Sequence, residues 1–96
     1  MGQVGKLTEI IGRISEFDAE DTIFASEPWS EESSAMVARE ASTGGPPAEG
    51  KAMGLKYFLE ISVAKEFSED WAATLSSPPS SRSLCERLIK YAIDDA

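Results

Sequence analysis

Histidine does not occur in the 96 residues, and cysteine occurs once, at Cys85. The first absence removes the commonest general base, the commonest transition-metal ligand and the side chain that titrates near neutrality. Serine–histidine and cysteine–histidine nucleophiles are excluded within the chain. A zinc site built on one thiolate would need three carboxylates, an unusual set. A single cysteine cannot close an intrachain disulfide, which fits a reducing compartment, and the expected location is the cytoplasm. Cys85 stands among Leu84, Leu88 and Ile89 and reads as a buried thiol acting as a small hydrophobe. Long apolar runs are missing too: none approaches the roughly 20 residues that span a bilayer. The stretch MGQVGKLTEIIGRISEF carries charges through its apolar part and no small-residue cleavage site, so it is not expected to be a signal peptide. Lys6 in place of Ser or Thr at the sixth position argues against myristoylation of the Met-Gly start.

Bases are scarce where acids are dense. The net charge is −8. Residues 1–49 hold ten acids and three bases, and residues 50–96 hold seven acids and six bases. Between Glu16 and Glu32 there are seven acids and no base. Such a field repels nucleic acid and anionic membranes and attracts basic partners, although an acidic surface also serves solubility alone. Apolar content is 42%, close enough to the globular norm of roughly 45–50% to argue against global disorder. The length fits one domain, residues 1–96, with a thin core.

Val4, Leu7, Ile11 and Ile14 recur at helical spacing, with Ile10 and Phe17 widening the stripe, and predict a helix over residues 3–16 that Gly5 and Gly12 weaken. TIFAS, residues 22–26, predicts a short strand. EPWSEES follows as a loop, and SAMVARE, residues 34–40, is a second strand closing a long-looped hairpin. Residues 40–54, with four Gly and two Pro, predict a long flexible loop. Residues 55–63 alternate Leu55, Tyr57, Leu59, Ile61 and Val63 with Lys56, Phe58, Glu60 and Ser62. This predicts the central strand, with Phe58 on its exposed face. Phe67, Trp71 and Leu75 predict a helix over residues 64–75, ended by Pro78 and Pro79. Ser83 and Glu86 fit a capping box opening a last helix, whose end the acids Asp94 and Asp95 oppose electrostatically. The expected fold is α+β, in the order α-β-β-β-α-α, a three-stranded antiparallel sheet with helices packed on one face.

No stretch carries catalytic or cofactor chemistry. Asp18 and Glu20 begin something like a calcium loop, but Thr22 and Ile23 stand where a third ligand and the turn glycine belong. Gly44 and Gly45 lack the following Gly-Lys-Ser/Thr of a phosphate loop, and no P-x-x-P accompanies Pro46 and Pro47. The carboxylate pairs Glu31/Glu32 and Glu69/Asp70 would need a cleft for glycoside chemistry, and a chain this short has little room for one. No metal and no cofactor is expected.

Trp29 lies among prolines, serines and acids without periodic context, and two readings stand. It is a turn staple folded onto the core, or an apolar anchor for a partner steered by the surrounding acids. The candidate partner-binding residues are Glu27, Trp29, Glu31 and Glu32, with Asp21. The leading expectation is a small acidic binding protein, not an enzyme, that neutralises or regulates a basic protein. In size and charge alone, without any shared motif, the chain resembles bacterial immunity proteins and other nuclease inhibitors. The alternatives are a nucleic-acid mimic that blocks a DNA-binding protein and a scaffold module that self-associates through the hairpin edge or Phe58. A small enzyme is disfavoured by the absent histidine.

Overall fold

The stripe that predicts one helix over residues 3–16 divides at Lys6 in the computed structural model, which describes residues 3–42 and 44–95. Met1, Gly2, Thr43 and Ala96 lie outside the described residues, and with them the Met-Gly start and one position of the 40–54 segment. So does the side chain of Asp95, half of the acidic pair at the end of the last helix. Gln3–Lys6 is a strand, β1; Leu7–Gly12 is a short helix, α1; and Ile14–Glu16 is a 3-10 turn. The break has a local cause. The Glu9 carboxylate accepts from the Lys6 backbone N–H at 3.0 Å, satisfying an orphan donor where the helix begins. Val4, the first residue of the apparent stripe, is 56% exposed, whereas Leu7, Ile10 and Ile11 are buried. The true helical face starts at Leu7.

The hairpin forms as expected, from β2 (Thr22–Ala25) and β3 (Ser34–Ala38). β4 (Lys56–Glu60) pairs with β2 and β1 with β3, giving a four-stranded antiparallel sheet in the order β1-β3-β2-β4. The sheet therefore has one strand more than the sequence predicts. Its central strands are β2 and β3, and β4 lies at an edge. Every residue of β2 is buried, because it is covered on both faces as well as flanked on both sides.

β4 also shows a different face from the one its alternation predicts. Ile23 pairs with Leu59 and Phe24 with Tyr57, so Phe58 is an extra residue in a β-bulge. A bulge puts two residues opposite one and resets the alternation. Phe58 and Leu59 both join the main core, while Tyr57 is 45% exposed. The strand then ends early. Ile61 opens α3 (Ile61–Ala72) with no intervening loop, its N–H donating to the Asp21 carbonyl at 2.9 Å. α4 (Ser81–Asp95) begins two residues before the predicted capping box. Its entry is satisfied by Ser80, whose hydroxyl accepts from the Ser83 N–H at 3.1 Å.

α1, α3 and α4 cover one sheet face, where Leu7, Ile11, Ile23, Phe58, Ile61, Cys85 and Leu88 form the main core. Each fully buried aliphatic or aromatic side chain there contributes about 1.5–3 kcal/mol. The opposite face carries a smaller cluster of Phe24, Met36 and Leu55, and the segment expected to be a flexible loop packs over it. Residues 48–52 form a short helix, α2 (Ala48–Ala52), seated so closely that a Cβ on Gly50 would lie 2.9 Å from Pro46 and 3.6 Å from the Met36 sulfur. The chain enters and leaves this cover through left-handed glycines, Gly44, Gly45 and Gly54, at φ 82°, 88° and 73°. Helices thus pack on both faces of the sheet.

Candidate partner-binding surface

The loop between β2 and β3, residues 26–33, is built around Ser33, which is 5% exposed. Its hydroxyl accepts from the Ser30 N–H at 2.9 Å and donates to the Pro28 carbonyl at 3.3 Å, and its backbone N–H donates to the Ser30 carbonyl at 3.1 Å. The loop is also tied to α1. The Ser33 carbonyl accepts from Leu7 N–H at 2.9 Å, and the Glu31 carbonyl accepts from the Thr8 N–H and hydroxyl at 3.2 and 2.8 Å. Serines that read as turn formers in the sequence therefore close a loop in which Ser26, Ser30, Glu32 and Ser33 have hydrogen-bonded backbone N–H groups.

Trp29 is half-buried. Its indole N–H donates to the Ala25 carbonyl at 3.3 Å, and its ring meets Phe58 edge to face at 5.0 Å. The staple reading therefore describes its inner edge. The outer part borders a recess of about 210 Å³ that Tyr57, Phe58, Val63 and Tyr91 also line. Tyr91 is itself packed against Phe67 at 5.1 Å. Burial pushes the Tyr57 phenol above its ordinary value, and the Glu60 and Glu40 carboxylates add to this.

The acids of the base-free window meet bases from elsewhere in the chain. Glu31 pairs with Arg82 at 3.0 Å and Glu32 with Lys6 at 2.8 Å. Arg39 reaches Asp21 at 2.7 Å and Asp18 at 3.3 Å, and Arg13 pairs with Glu16 at 3.3 Å. Among the described residues, Glu20 and Glu27 of this window form no ion pair. The Glu32 contact raises the Lys6 pKa, and the Glu20 N–H bonded to Asp18 holds that carboxyl below its usual value. These pairs are exposed and individually weak. Their effect on the field is larger, because they neutralise most of what looks like an unbroken acidic strip.

Four of the five candidate residues, Glu27, Trp29, Glu31 and Glu32, belong to one loop. Asp21 does not join them. It precedes β2 and the loop follows it, so the four strand residues, at roughly 3.3 Å each, separate the two. Asp21 instead anchors Arg39 and the start of α3. Beside the loop, a shallow groove is lined by Ser30, Glu31, Glu32, Arg82, Glu86 and Ile89. Arg82, Glu86 and Tyr91 gave no signal as site residues in the sequence, because nothing local shows that α4 runs alongside the hairpin loop.

Cys85 is fully buried, and burial pushes its thiol pKa up, away from the thiolate a nucleophile needs. Among the described residues, no three Cys, Asp or Glu side chains are grouped to hold a metal ion. Within the described residues, no helix is long and apolar enough to cross a membrane. No protein-family model, curated protein or solved structure matches the chain.

Proposed function

We propose that the chain is a small non-catalytic binding protein that holds a basic protein partner, in the manner of an inhibitor or immunity-type protein. The contact surface is the loop of residues 26–33 with the adjoining length of α4. One observation carries this reading: the loop is fixed in advance by Ser33, Thr8 and the Trp29–Phe58 contact. Glu27 on this loop is exposed and, among the described residues, forms no ion pair, while Glu31, Glu32 and Glu86 line the adjoining groove and share only two cations, Lys6 and Arg82. A surface that is already ordered loses little entropy on binding, and its charge steers a partner of opposite sign. Phosphate mimicry is the weaker reading, because it needs an open array of carboxylates and most of this window is paired internally.

The test is affinity capture from the native cell with the full chain immobilised, at low and at high salt. The expected result is one basic protein, released as salt rises and lost with the double variant Glu27→Lys/Glu32→Lys. Retention that ignores both salt and the double variant would overturn the proposal.

A further inference from the structure

The recess beside Trp29 has a composition that selects its occupant. At about 210 Å³ it is smaller than the roughly 300–1,000 Å³ of sites for cofactors and drug-sized ligands, so it suits a single side chain. Four of its seven lining residues are aromatic, Trp29 from the hairpin loop, Tyr57 and Phe58 from β4, and Tyr91 from α4; Leu59, Val63 and Ala92 complete it. Two of these rings are held by ring contacts of their own, Trp29 against Phe58 and Tyr91 against Phe67. None of the lining residues is charged. On its Tyr57 side the Glu60 and Glu40 carboxylates act on the phenol, while Arg87, Lys90 and Asp94 lie around a neighbouring cavity that Tyr91 also lines. Ring faces attract cations through their quadrupole, and a carboxylate field favours the same sign. Elsewhere the molecule makes this contact with its own arginines, Arg87 over Trp71 at 5.5 Å and Arg13 over Phe17 at 5.6 Å. Arginine fits better than lysine, because its guanidinium is planar, stacks on aromatic faces and is more weakly hydrated.

We infer that this recess receives the guanidinium group of an arginine side chain from the basic partner, with Trp29, Tyr57 and Tyr91 as its walls. The inference rests on the binding reading above and changes the part Trp29 plays in it. Trp29 is not a knob entering the partner; it is one wall of the hole that the partner enters.

The experiment titrates the isotope-labelled full chain with N-acetyl-arginine amide, followed at the Trp29 indole N–H and at Val63. The two indole signals are assigned with Trp71→Phe. Two probes serve as controls: the citrulline amide, planar and of the same size but neutral, and the lysine amide. The expected result is a saturable shift at Trp29 and Val63 with millimolar arginine amide. Affinity for the citrulline amide should be about tenfold weaker, equivalent to ~1.4 kcal/mol, and affinity for the lysine amide should also be weaker. Tyr57→Leu, at a half-exposed position that leaves the core intact, should weaken arginine binding severalfold, as should Tyr91→Leu. Equal binding of the citrulline or lysine amide, no saturable shift at Trp29, or no effect of Tyr57→Leu would overturn the inference. Such a failure, with capture of the basic partner still lost in Glu27→Lys/Glu32→Lys, rejects the recess and leaves the acidic surface standing. Loss of both rejects the binding reading itself.

Discussion

Phe58→Ala and Tyr57→Ala, made separately, decide which face of β4 the core uses. Phe58 is 2% exposed and touches Trp29 edge to face at 5.0 Å, whereas its neighbour Tyr57 is 45% exposed. Truncating a buried Phe to Ala costs about 3–5 kcal/mol through lost transfer energy and the cavity left behind. The ring contact with Trp29 puts Phe58 in the upper part of that range. Tyr57 surrenders roughly half of a full burial, about 1 kcal/mol. A chain of this length has about 5–14 kcal/mol of total stability, so Phe58→Ala removes a large share of it. At about 4–8 °C per kcal/mol for a domain of this size, Tm should fall by at least about 12 °C. Urea unfolding followed by far-UV circular dichroism gives both values, and unchanged slopes keep the comparison clean. Plain alternation along residues 55–63 predicts the reverse order. If Tyr57→Ala proves the costlier change, or the two are equal, the bulge and the core built on it are wrong.

Four further outcomes follow from the packing and the charges. Gly50→Ala adds a better helix former to α2, which alone stabilises by about 1 kcal/mol, but its Cβ meets Pro46 at 2.9 Å. The clash, of the kind that costs about 1–3 kcal/mol, should win, and a gain in urea midpoint would show that α2 is not seated there. Cys85 should resist a thiol reagent in the native protein and react once unfolded; rapid native labelling would contradict its burial. Folding raises its pKa above the ordinary 9.0, so the folded state holds the proton longer than the unfolded one. Stability should therefore fall as pH rises through that range. Cys85→Ala should remove that part of the slope and leave the part due to Tyr57, which is shifted the same way. Arg39→Ala breaks two exposed pairs, with Asp21 and Asp18, and should lower Tm only slightly at low salt and not at all in 1 M salt.

The elements legible in the sequence were those with a local signal. TIFAS and the SAMVARE stretch gave the hairpin, and the Phe67–Trp71 spacing and the run from Leu84 to Ile93 gave two helices. What the sequence hid was set at a distance. Gln3–Lys6 is a strand because β3 offers it an edge, and its Val4 continues a helical stripe by coincidence of spacing. The bulge at Phe58 depends on the register with Ile23 and Phe24, which no property of residues 55–63 encodes. The glycines and prolines of residues 40–54 predict flexibility. Their positive-φ turns instead let the chain fold back over Phe24, Met36 and Leu55. The acidic window was visible, but its partners were not, because Lys6, Arg39 and Arg82 lie outside it in sequence and beside it in space. Trp29 could be located but not assigned, since Phe58, which its ring contacts, and Tyr91, which lines the same recess, come from other elements.

In the proposed function, a place on the surface, and not net charge, holds the basic partner. Glu27→Lys and Glu49→Lys change the net charge equally at two exposed sites, one in the hairpin loop and one on α2 over the other sheet face. Binding of the captured partner to each, at one salt concentration, is the most direct measurement. Glu27→Lys should weaken binding at least about tenfold, as loss of roughly 1.4 kcal/mol at the contact requires, while Glu49→Lys stays near the unaltered chain. Equal weakening by both variants, or a stronger effect of Glu49→Lys, would contradict the proposed function.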